Sequence, residues 1–160
     1  MIIEVPLFLS NKMPTSFPIK YERLTWTDYA VAKTLFQSTF AFSEWRRLAE
    51  AWQTRGYAWG ARYRGVLVGF GIVSTDNTVK YIAVHPLYQS YKIGSGLLTR
   101  MLADLGDARL VRLQTAGDER LVGWYGRFGF RTESEMLDDD GDFLGAFMIR
   151  RQRCRSAVGL

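Results

Sequence analysis

"VHPLYQSYKIGSGLLTRML", Val84 to Leu102, begins where a short apolar strand ends and finishes in an amphipathic run, with Gly94-Ser95-Gly96 at the junction. A glycine-poor loop that turns glycine-rich where a helix starts has a physical meaning. The first N–H groups of a helix lack partners within it, and with the helix dipole they make an anion site. The stretch therefore reads as a phosphate-binding turn or as a plain turn into a helix.

Outward from it, the hydrophobic period changes in a regular order. Residues 1–18, with Pro6, Pro14 and Pro18, read as an irregular leader, and a domain follows over 19–150. "IKYERL" is a strand. Thr27 and Asp28 offer a cap for a helix over "YAVAKTLFQ", with Val31, Leu35 and Phe36 on one face. A second helix, capped by Ser43, turns Trp45, Leu48, Ala49 and Trp52 inward and stops at Gly56. "YAWGARY", "VLVGFGIVS" and "VKYIAV" form a meander with turns at Arg64-Gly65 and Asp76-Asn77. The helix after Gly94 points Leu97, Leu98, Met101, Leu102 and Leu105 inward and ends at Gly106. "ARLVRLQT", a helix from Asp118 to about Arg127, and the strands "FRTESEML" and "FLGAFMIRR" complete the order β-α-α-β-β-β-α-β-α-β-β. That is a mixed α/β arrangement around a central sheet.

The totals bound the function. The chain has 160 residues, enough for one domain that buries roughly two thirds of its unfolded surface. A formal charge of +5 suits an anionic ligand. A basic tail over 151–160 continues the run "RRQRCR" from Arg150, while six acids lie between Glu133 and Asp142. The single cysteine, Cys154, and the single histidine, His85, exclude an internal disulfide, a cysteine cluster and a multi-histidine metal site, so no metal is expected. His85, before Pro86 at a strand end, reads as structural. One cysteine fits a reducing, cytoplasmic setting. The start, "MIIEVPLFLS", is broken by Glu4 and Pro6 and lacks a basic n-region, and no apolar run is long enough to span a membrane. No P-loop occurs, and Thr99 stands where a dinucleotide fingerprint needs its third glycine.

"VHPLYQSYKIGSGLL" resembles the acyl-CoA-binding signature of the GNAT N-acetyltransferases, V-x-P-x-x-Q/R-x-x-G-x-G/A leading into a helix. "DERLVGWYGRFGFR" resembles their second signature, N-x-x-A-x-x-x-Y-x-K-x-G-F, and Tyr125 lies 36 positions after Gln89. The resemblance covers about Ile19 to Arg150. It implies a sheet with splayed central strands and a loop of Gln89, Ser90, Tyr91, Lys92, Ile93, Gly94, Ser95 and Gly96 cradling the diphosphate of coenzyme A. There Gly94 and Gly96, without a Cβ, would let backbone and ligand oxygens approach closely. Lys92 replaces the usual first glycine, which puts either an unstrained backbone or a tolerated positive φ at that position. Ile82, Ala83 and Val84 would line the pantetheine arm, the backbone of Ile82 and Val84 pairing with its amides like another strand. Asp118, Trp124 and Arg127 would complete the cofactor site, with Asp118 in place of the usual Asn and Leu121 in place of Ala.

The implied reaction is transfer of an acetyl group from acetyl-CoA to a primary amine by direct attack. An N–H near Val84 would stabilise the carbonyl oxygen, and Tyr125 would be the general acid toward the thiolate. Deprotonating an alkylamine of pKa about 10.4 at pH 7 costs roughly 4.6 kcal/mol, so a base or a water path is needed. "TVKYIAV" puts Thr78, Lys80 and Ile82 on one face and Tyr81 and Ala83 on the other and carries no carboxylate, which leaves Glu44, Asp142 or a water chain. Phe40, Phe42 and Trp45 would wall the acceptor, and the acidic loop, Asp142 included, would attract a small cationic amine or a lysine side chain. A homodimer would be in keeping with the family. Two rival readings are an acyl-CoA-binding sensor with weak catalysis and a nucleic-acid binder using the Arg-rich tail. Against the second stand the acidic loop and the absence of any nucleic-acid-binding motif, so no nucleic-acid or membrane partner is expected.

Overall fold

The computed structural model describes residues 18–39, 45–106 and 110–151. Seven strands, β1 (Ile19–Arg23), β2 (Arg55–Tyr63), β3 (Val66–Ser74), β4 (Thr78–Val84), β5 (Leu110–Ala116), β6 (Arg131–Leu137) and β7 (Phe143–Arg151), share one sheet in the order β1-β2-β3-β4-β5-β7-β6. Four α-helices join them: α1 (Tyr29–Thr39), α2 (Trp45–Gln53), α3 (Ile93–Leu105) and α4 (Glu119–Gly126). The element order is the one expected from the sequence. Every pairing is antiparallel except β4 with β5.

α1 and α2 cover one face of the β2–β4 region. Their Ala32, Leu35, Phe36, Leu48 and Trp52 pack with Phe70, Ile72 and Ala83. α3 covers the opposite face with Ile93, Leu97, Leu98 and Met101, none of them exposed. Burying each such side chain contributes about 1.5–3 kcal/mol. Aromatic geometry pins the first layer, since Phe36 meets Tyr81 edge-on at 5.1 Å.

Local readings differ from the sequence in four places. The cap before α1 is Thr25, whose N–H donates to an Asp28 carboxylate oxygen at 2.7 Å and opens a short 3₁₀ turn. That turn rotates α1, so Ala32 is buried and Val31 is 41% exposed. α2 ends at Gln53, and Gly56 already belongs to β2; Ala51 is buried in α2. Finally, β4 does not alternate regularly. Ile72 pairs with Tyr81 and Val73 with Val79, so Lys80 is the extra residue of a β-bulge. Val79 and Ile82 pack into the same cluster with α3, whereas Tyr81 and Ala83 pack toward α1 and α2.

Candidate active site

The parallel pair β4–β5 is hydrogen-bonded only at Thr78↔Arg112 and Val79↔Leu113. Beyond those two rungs the strands part. The gap opens into a cleft of about 980 Å³, walled by Ile82 and Val84 of β4, by Gln114, Thr115 and Ala116 of β5, and by α4. Sheet hydrogen bonds account for why strand backbone can line it. The His85 N–H donates to the Val68 carbonyl at 2.8 Å, on the β3 side. Alternate residues face the same neighbour, so the main-chain groups of Ile82 and Val84 point into the gap. Gln89 braces this edge, its Nε2 donating to the Val84 carbonyl at 3.2 Å.

A 3₁₀ turn, Pro86–Tyr91, carries the chain from β4 to the mouth of the cleft, with His85 Nδ1 accepting the Leu87 N–H at 3.2 Å. Lys92 then adopts the left-handed conformation, φ 59° and ψ 23°. Of the two options left open at this position, the positive φ is the one present; for a residue with a Cβ it costs roughly 1–2 kcal/mol. It turns the backbone so that α3 starts at Ile93. The first bond inside α3 runs from the Gly96 N–H to the Lys92 carbonyl at 3.0 Å. The N–H groups of Ile93, Gly94 and Ser95 precede it and have no acceptor in the helix.

The two glycines of this junction play different parts. A methyl on Gly94 would sit 3.6 Å from Trp124 and 3.8 Å from Val84, between the two walls of the cleft. A methyl on Gly96 would collide with the Tyr21 hydroxyl and ring. Gly96 is thus small because β1 packs on it there, with Arg100 stacked over the Tyr21 ring at 3.7 Å.

α4 forms the far wall. Asp118 caps it, accepting the Arg120 N–H at 2.9 Å, and pairs with the Arg120 guanidinium at 3.0 Å. The hydrogen bond from the Arg120 side chain holds the Asp118 carboxyl below the usual range. Tyr125 packs edge-on against Trp124 (4.7 Å) and Phe130 (5.8 Å), and burial pushes its phenol up to about 12. It therefore keeps its proton throughout the neutral range.

Among the residues anticipated from sequence, Ile82, Val84, Gln89, Ser90, Lys92, Gly94, Ser95, Trp124, Tyr125 and Arg127 line this cleft. Ala83 and Ile93 are fully buried, the first toward α1 and the second beneath Gly69 of β3. Tyr91 packs at a tilt against Tyr88, with ring centroids 6.3 Å apart. Gly96 and Asp118 serve helix packing and capping, as described. Asp142 belongs to a loop closed on itself: Asp138 Oδ1 accepts the N–H groups of Asp140 (3.0 Å) and Asp142 (2.8 Å). Neither Asp138 nor Asp142 lines the cleft. Phe40, Phe42, Glu44 and the side chain of Trp45 lie outside the described residues.

The splayed central strands of the sequence reading already set the strand of Gln114–Ala116 opposite β4; the residues missed are Thr39, Lys80 and Tyr81 at the β4–α1 end of the cleft, together with Leu121 and Phe128. Among the described residues no group of three His, Cys, Asp or Glu stands together to hold a metal, and no helix is long and apolar enough to cross a membrane.

The family model described as Acetyltransferase (GNAT) domain matches residues 25–143. A comparison with curated proteins found no match. Among solved structures, the chain is similar to the ribosomal-protein-S18-alanine N-acetyltransferase of Escherichia coli, with TM-score 0.73, 20% identity, and coverage of 89% of this chain and 100% of that one. It is similar to the PaiA N-acetyltransferase of Thermoplasma acidophilum in complex with coenzyme A, with TM-score 0.65, 16% identity, and coverage of 84% and 99%. It is also similar to a GNAT family acetyltransferase from Elizabethkingia anophelis with acetyl-CoA bound, with TM-score 0.63, 13% identity, and coverage of 84% and 98%. At these identities the likeness is one of fold.

Proposed function

The chain belongs to the GNAT acetyltransferases, and on that premise we propose that it transfers the acetyl group of acetyl-CoA directly to a primary amine. One observation carries the reading. β4 and β5 part beyond Val79 and Leu113, with a helix N-terminus at the mouth of the gap and a protonated tyrosine on its far wall. The similar folds solved with coenzyme A or acetyl-CoA support the choice of donor.

The residues present fit that donor. The N–H groups of Ile93, Gly94 and Ser95, with the side chains of Lys92 and Arg127, take the diphosphate, and the bare Cα of Gly94 leaves room beside Trp124. The backbone of Ile82 and Val84 pairs with the pantetheine amides as an added strand. Bound acetyl-CoA supplies an activated acyl carbon and a thiolate leaving group. A β4 N–H near Val84 holds the carbonyl oxygen as it gains charge. The new N–C bond forms as the C–S bond breaks, and the Tyr125 hydroxyl gives its proton to sulfur and is reprotonated from solvent. Among the described residues lining the cleft there is no carboxylate or histidine; in this reading water takes one proton from the ammonium before attack and a second from the nitrogen as the C–S bond breaks.

Calorimetric titration with acetyl-CoA, followed by a thiol-release assay over amine classes, tests the reading. Binding with thiol release that depends on an amine is expected. Absence of affinity for acetyl-CoA would remove the donor and the reaction together, whereas binding without turnover of any amine would favour the sensor.

A further inference from the structure

Three cations line the cleft among the described residues: Lys80, Lys92 and Arg127. No carboxylate does. Lys92 and Arg127 stand at the mouth with the start of α3 and the end of α4, where an anionic diphosphate accounts for them. Lys80 does not belong to that group. It lies four residues before Val84 on β4, about 13 Å along a strand that rises roughly 3.3 Å per residue. Thr39 at the end of α1 and Tyr81 line the same cleft.

Two observations make its position more than incidental. Lys80 is the extra residue of the β4 bulge, and a bulge re-aims its side chain relative to regular alternation. The Lys80 side chain is exposed and makes no ion pair or hydrogen bond with a described residue. Its one electrostatic link is to Asp76, whose carboxylate is already engaged by Ser74 and Thr78. Neither Asp138 nor Asp142 of the acidic loop lines the cleft.

The geometry points to Lys80 as the acceptor-reading residue: the amine acetylated here belongs to a molecule that carries a carboxylate several bonds from its amino group, and the Lys80 ammonium pairs with that carboxylate. This rests on the acetyl-transfer reading above. A polyamine or a bare alkylammonium meets like charge at the same place, so the preference has an attractive and a repulsive half.

The experiment uses the purified full chain with acetyl-CoA and acceptors in matched sets: an amino acid with that separation, its carboxamide and the amine lacking the group. Thiol release gives kcat/KM for each, and calorimetry gives affinity for acetyl-CoA in parallel. The carboxylate member should be preferred by roughly 10- to 100-fold, the scale of one charge-assisted hydrogen bond. Lys80→Gln should erase the preference and Lys80→Arg keep most of it, while Lys80→Glu should turn it toward polyamines, all with acetyl-CoA affinity close to the parent's. Equal use of the three members, refusal of every carboxylate-bearing acceptor, or an unchanged preference in Lys80→Gln overturns the assignment of Lys80. Failure to bind acetyl-CoA is a different result and overturns the acetyl-transfer reading itself.

Discussion

In β3 every residue after Val66 is buried; in β6 none is. The first four strands are sandwiched between α1–α2 on one side and α3 on the other, with Phe36, Trp52, Leu97 and Met101 among the side chains shut away from solvent. Beyond β5, the β7–β6 edge leaves Leu137, Leu144 and Phe147 between 42% and 53% exposed. The cleft falls on the seam between these regions. Stability is concentrated in the half that presents backbone N–H groups, and the half with the tyrosine is more lightly packed.

Cavity mutations test that contrast most strongly. Phe36→Ala should cost about 3–5 kcal/mol in chemical denaturation, and Phe147→Ala should stay within about 0.5 kcal/mol. Comparable losses at the two sites would erase the difference between the halves. Tyr125→Phe should separate chemistry from stability, with kcat falling roughly 100-fold while acetyl-CoA affinity and Tm hold near the parent values. An unchanged kcat would move the acid elsewhere. Gly96→Ala should cost about 1–3 kcal/mol of stability through its collision with Tyr21; a neutral result would mean that β1 yields there without penalty.

The smallest effect is electrostatic. The Asp118 carboxyl is held low by the Arg120 side chain, so the stabilisation is present above the unfolded carboxyl pKa, near 3.9, and lost as pH falls through the lower folded value. Asp118→Asn keeps the cap and removes the charge, so its small deficit in Tm should close on acidification through that window. A deficit that persists at the acid end would assign it to the cap and not to the ion pair.

The element order was legible because turn residues punctuate it: Arg64-Gly65, Asp76-Asn77 and Gly106 stand where the chain reverses or a helix stops. The turn into α3 was legible for a related reason, since glycines at the head of a helix say something about backbone access that no other residue type does. The misread parts depend on a partner the sequence does not name. Lys80 joins the cleft through a bulge, and a one-residue excess exists only relative to the facing strand. Gly96 is small because of Tyr21, 75 positions earlier. The summed charge of the acidic loop says nothing of where the loop sits, and neither Asp138 nor Asp142 lines the cleft. Val31 and Ala32 exchanged places because the 3₁₀ turn after Thr25 sets the rotation of α1.

The two-rung junction between β4 and β5 has a consequence for solvent exchange. A strand in the middle of a seven-stranded sheet would ordinarily hold its amides against deuterium until the whole domain opens. In the free protein the amides of Ile82 and Val84 lack that neighbour and should exchange early, beside slowly exchanging amides such as His85 that donate to β3. When the gap fills, the same two should become slow, so a central strand would report occupancy in the manner of an edge.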